Sequence, residues 1–100
     1  MMEYRAADVD QIVMKVGEQC QLESLRQAVV PPYVLIIPFV EPPAGVVLLR
    51  QDGLEEDGIH GAVFTLQAVE AGEGVLRLGF RDLREGKVVI EKSIQVIVHP

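Results

Sequence analysis

At 100 residues the chain is the size of one domain, expected to span residues 1–100. Apolar residues make up 49% of it, enough for a core without staples, and a single cysteine, Cys20, excludes an intrachain disulfide. Fifteen acidic residues against nine basic ones give a net charge of −6, which argues against nucleic acid and anionic membrane as partners.

Residues 1–8 read as a loose lead-in without an apolar leader, so the chain is expected in the cytoplasm, or secreted with its leader removed. The first strand begins in residues 9–16, with Ile12, Met14 and Val16 on one face and Gln11, Val13 and Lys15 on the other. Gly17-Glu18 is a turn. Residues 19–24 alternate cleanly, with Cys20 and Leu22 inward. The spacing of Leu22, Leu25, Arg26 and Val29 fits a helical turn or two, but Pro31-Pro32 would end it, and the segment is read as a loop.

Tyr33 to Ile37 is a dense apolar run, predicted to be a strand buried on both faces. Pro38 and the Pro42-Pro43-Ala44-Gly45 run mark its end or an edge, because proline donates nothing to a ladder. Pro31, Pro32 and Pro38 interrupt the longest apolar stretch, near residues 28–40, so no helix here spans a bilayer. Residues 46–50 form a short strand, and the polar, glycine-marked residues 51–60 a long loop.

Residues 61–70 place Phe64, Leu66 and Ala68 inward. After a turn at 71–74, residues 75–80 do the same with Leu76, Leu78 and Phe80. Residues 81–86 make a hairpin loop. The last strand carries Val88, Ile90, Ile94, Val96 and Val98 on one parity. Lys92 shares that parity, which predicts a bulge or an exposed edge near it, since an unpaired buried ammonium is too costly. About seven short strands with turns every ten residues predict an all-β, immunoglobulin-like antiparallel β-sandwich. The absence of tryptophan excludes the antibody-type core.

No reactive constellation stands out. Ser24 and Ser93 have no base beside them, and His60 and His99 have no partner at zinc-ligand spacing. Asp52, Glu55, Glu56 and Asp57 miss the calcium-loop spacing. The expectation is a protein without catalytic residues, metal or cofactor, acting through a protein partner.

The order of parts resembles the chagasin-type inhibitors of papain-like cysteine proteases. The resemblance runs over residues 9–98. It is carried by Ile12–Glu18, the aromatic Tyr33, a glycine-bearing loop before Val63–Ala68, the run Glu70–Leu78, and a hairpin opening at Arg81. It implies that three loops wedge into a protease cleft, here Pro31-Pro32-Tyr33, Gly58-Ile59-His60-Gly61 and Arg81-Asp82-Leu83. The family's first-loop Thr-Thr-Gly is absent. In the third loop Asp82 and Leu83 stand where the family has Pro-Trp. Two readings stay open: a protein-binding module of this fold without inhibitory activity, and an inhibitor of papain-like proteases acting by loop insertion.

Overall fold

The computed structural model describes residues 1–28, 36–56 and 59–100. Among them every regular element is a strand: β1 (Met2–Arg5), β2 (Gln11–Lys15), β3 (Gln19–Glu23), β4 (Gln27–Ala28), β5 (Ile36–Glu41), β6 (Val46–Glu56), β7 (Ile59–Ala68), β8 (Gly72–Asp82) and β9 (Lys87–His99). One sheet joins β1, β3, β7 and β6, with β4 resuming the line of β3 along β7. The other runs β2-β9-β8-β5. The all-β sandwich predicted from alternation is what forms.

Two details differ from the expected antiparallel set. β1 pairs with β3 and β2 pairs with β9 in parallel, while the remaining pairs are antiparallel. The presumed lead-in therefore holds a strand, with Met2 opposite Cys20. That pairing is non-local, and an alternation of only four residues, half-buried at Met2 and Tyr4 and exposed at Glu3 and Arg5, is too short to read as a strand from the sequence.

The core follows the parity of the strands. Ile12, Met14, Cys20, Leu22, Phe64, Leu66, Leu76, Leu78, Ile94 and Val96 are all fully buried. Each such aliphatic or aromatic side chain contributes roughly 1.5–3 kcal/mol relative to exposure. Val16, expected inward, is exposed: β2 ends at Lys15, and the chain turns at Gly17 with φ 92°. Phe80 is half-buried, toward the margin of its sheet.

Cys20 is one of these buried side chains, and burial pushes its thiol up to about 11. The folded pKa lies above the ordinary thiol value, so the native state holds the proton more tightly. Its contribution to stability is complete below the unfolded thiol's pKa and is lost as pH rises toward 11. In the native protein at pH 8 Cys20 is expected to resist alkylation, and to react at once in denaturant. Mass spectrometry after a timed iodoacetamide pulse checks this; rapid native labelling would contradict the packing.

The Lys92 expectation is met. Along the β8–β9 ladder Leu78 pairs with Lys92 but Gly79 pairs with Ile90, leaving Glu91 as the extra residue of a bulge. The Lys92 ammonium donates to the Ala6 carbonyl and stands 3.5 Å from the Asp10 carboxylate. The bulge also inverts the parity above it. Ile90 and Val88 pair with Gly79 and Arg81, and so lie on the outer face, not on the core face predicted for them.

One end of the sandwich is laced by backbone hydrogen bonds between turns. Gly17 N donates to Ala68 O at 2.7 Å, Val69 N to Gly45 O at 2.8 Å, and Val16 N to His99 O at 2.9 Å. Gly45 has φ 85°, and a Cβ there would stand 2.7 Å from the Glu70 carbonyl oxygen.

Candidate functional site

The opposite end is assembled differently. Where β3 gives way to β4, Ser24 keeps the chain against β7. Its N–H donates to Ala62 O at 2.8 Å, and its buried Oγ accepts from Ala62 N and donates to Leu25 O, both at 2.9 Å. A Cβ on Gly61 would stand 3.1 Å from that Oγ, so Gly61 serves this close approach. With the chain held there, β4 resumes pairing as Gln27 opposite His60 and Ala28 opposite Ile59.

Ile59 also pairs with Glu56 on its other side. In the second sheet Ile36 pairs with Asp82, which in turn pairs with Lys87. Ala28 and Ile36 are thus the described residues that flank 29–35, one held beside Ile59 and the other beside Asp82. An open groove of about 360 Å³ joins the two sheets here, lined among others by Ile36, Ile37 and Pro38 of β5, Gln51 and Leu54 of β6, and His60 of β7. Gln51 Nε2 donates to Pro38 O at 3.3 Å across the gap.

Pro31, Pro32, Tyr33 and Gly58 lie outside the described residues. Ile59, His60 and Gly61 are strand residues of β7, not loop residues, because β6 runs on to Glu56 and β7 begins at Ile59, paired with Glu56, within the stretch expected to be a long loop. Nor is the apolar run ending at Ile37 buried on both faces within its described part. β5 is a sheet edge, and Ile37 is exposed. Pro38 sits inside this strand, where an edge tolerates it.

The hairpin between β8 and β9 has a fixed shape. Arg81 and Asp82 end β8, and the turn proper begins at Leu83. The Asp82 carboxylate accepts from Arg84 N at 2.9 Å, and its carbonyl accepts from Gly86 N at 2.8 Å, with Gly86 at φ 67°. Asp82 is therefore a turn-forming residue, which accounts chemically for an acid where the resembled family has proline. Arg81 lies with its guanidinium 5.8 Å from the Phe39 ring centroid, a cation–π contact on the outer face. Leu83 projects from the turn, 47% exposed.

The polar groups nearby are paired and dispersed. Asp52 pairs with Arg50 at 2.8 Å, and His60 Nε2 lies 3.6 Å from Glu55 Oε1. No group of three metal-ligating side chains occurs among the described residues. The arrangement offers a ridge-and-groove surface for another macromolecule. Ile36, Pro38 and Gln51 belong to it and were not singled out from the sequence. The proline within an apolar run was the one signal pointing at that edge.

No family model matches the chain, and no curated protein sequence matches it. Solved structures do. The crystal structure of the cysteine protease inhibitor EhICP2 from Entamoeba histolytica superposes with a TM-score of 0.68 at 12% identity, covering 98% of this chain and 94% of that one. The solution structure of amebosin superposes with a TM-score of 0.55 at 14% identity, covering 99% of each chain. The likeness is one of fold over nearly the whole length, and the fold is that of the chagasin-type inhibitors.

Proposed function

We propose that this chain, sharing its fold with a cysteine protease inhibitor, is a non-enzymatic protein-binding module whose groove end enters the cleft of a papain-like cysteine protease. The observation that carries this reading is the pairing of Ala28 with Ile59 and of Ile36 with Asp82. Those ladders tether both flanks of residues 29–35 to the other two segments that the chagasin resemblance assigns to the wedge. A cleft closed by such a wedge is blocked sterically, so the protein needs no reactive group of its own.

Binding is expected to be weak for an inhibitor. Aromatic anchors dominate interface energy, and Leu83 occupies the place of the family's tryptophan. The test is a titration of papain and cathepsin L with the protein against a small fluorogenic peptide. Competitive inhibition in the micromolar range is expected. Unchanged peptidase activity with the protein in large excess would leave the non-inhibitory module, the reading that the Asp82-Leu83 replacement favours.

A further inference from the structure

With fifteen acidic residues against nine basic ones, carboxylates are plentiful for every cation of the chain. Arg5 and Arg26 pair with Glu23, Arg50 with Asp52, Arg77 with Glu41, Lys87 with Glu85 and Lys92 with Asp10. Among the described residues no carboxylate pairs with Lys15, Arg81 or Arg84. Lys15 lies at the laced end, whereas both arginines stand on the β8–β9 hairpin.

Of the three, Arg81 is the one laid over an aromatic ring. Ile37 and Val88 pair with Arg81 on either side and share its outer face. In the next row Phe39 and Ile90 flank Gly79, which brings no side chain, so the guanidinium can lie back to 5.8 Å from the Phe39 centroid. Ile37, Val88 and Ile90 are 43%, 40% and 41% exposed. One arginine with an unpaired charge, ringed by apolar side chains that would exclude water once covered, has the anatomy of an interface anchor. Covering the ring strips water from the guanidinium, which is costly unless the covering surface supplies an anion. The guanidinium fork matches a carboxylate, and the ring around it calls for apolar surface on either side of that carboxylate.

We propose that this outer face docks an acidic side chain on the rim of the protease cleft, set among apolar neighbours and held by the Arg81 guanidinium. On the wedge reading, on which this rests, Leu83 enters the cleft, and Arg81, two residues behind it, stands roughly 7 Å back, level with the rim.

Inhibition of papain and cathepsin L at low and high salt reads the outcome. Arg81→Gln should weaken inhibition by about tenfold or more and reduce its salt dependence. Arg81→Lys, which keeps the charge but not the fork, should recover part of that loss. Val88→Thr combined with Ile90→Thr should weaken inhibition by about threefold. Lys15→Gln removes the same charge at the laced end and should change nothing. Thermal midpoints of all variants, expected to match the parent, separate these effects from misfolding. If the parent inhibits and Arg81→Gln inhibits as tightly with the same salt dependence, the docking face is overturned and the wedge stands. Equal weakening by Lys15→Gln overturns it too, since net charge alone would then explain the loss. A parent that inhibits neither enzyme removes the wedge and the docking face together.

Discussion

Gly79→Ala is expected to destabilise the protein by about 3 kcal/mol or more, lowering its thermal midpoint by roughly 15 °C. Gly79 sits at the register shift between β8 and β9, and its backbone conformation is ordinary, so the cost is purely steric. A Cβ there would drive onto the Val89 carbonyl oxygen, with the Val89 carbon at 2.8 Å and Ile90 Cα at 3.0 Å. These are backbone atoms of the paired strand and cannot rotate aside. To admit the methyl group the ladder must open at the bulge, which also sets Lys92 toward Ala6 and Asp10. Gly53→Ala is the matched control. Gly53 also lies in a strand, but nothing stands within 4 Å of its Cβ position. Its change should stay within about 0.5 kcal/mol. Urea unfolding of the three proteins decides the matter, and equal midpoints for Gly79→Ala and parent would contradict the close approach.

Leu83→Trp should strengthen protease binding by about thirtyfold, corresponding to roughly 2 kcal/mol for a well-placed aromatic anchor. The position suits the change. Leu83 is exposed at the tip of a turn whose backbone is fixed from below by Asp82 and Gly86, so a larger side chain meets no packed neighbour. Stability should move by less than about 0.5 kcal/mol. Leu83→Ala should act in the opposite direction, weakening the complex without unfolding the protein. Inhibition constants against papain for the three proteins check the series. A constant unmoved by tryptophan would place the hairpin tip outside the contact.

How much of this was legible in the sequence depended on whether a second sheet covers the strand. Cys20, Leu22, Phe64, Leu66, Ala68, Leu76 and Leu78 declared their faces because each strand is dry on one side and wet on the other. Lys92 announced the bulge through the cost of a buried ammonium. The same bulge defeated the reading just beyond it, since one inserted residue sends Val88 and Ile90 to the outer face. The facing ends of β6 and β7 were taken for a long loop because polar side chains cost a strand nothing where water reaches both faces. Within the site, Arg81, Asp82 and Leu83 came from the resemblance alone, and only the geometry separates Asp82, which builds the turn, from Leu83, which projects from it. Ser24, read as a serine without a base, proved to hold β4 against β7. That role needs a partner 38 residues away, which no local pattern displays.

The most direct test of the wedge is amide hydrogen exchange on the protein alone and mixed with an active-site-blocked papain and with the unblocked enzyme. With the unblocked enzyme, slowed exchange is expected at residues 27–28, 36–37, 59–61 and 81–86, and unchanged exchange at the laced end around Gly17, Gly45 and Val69. The blocked enzyme should leave all of them unchanged. Protection at the laced end, or protection that survives blocking of the cleft, would contradict the account.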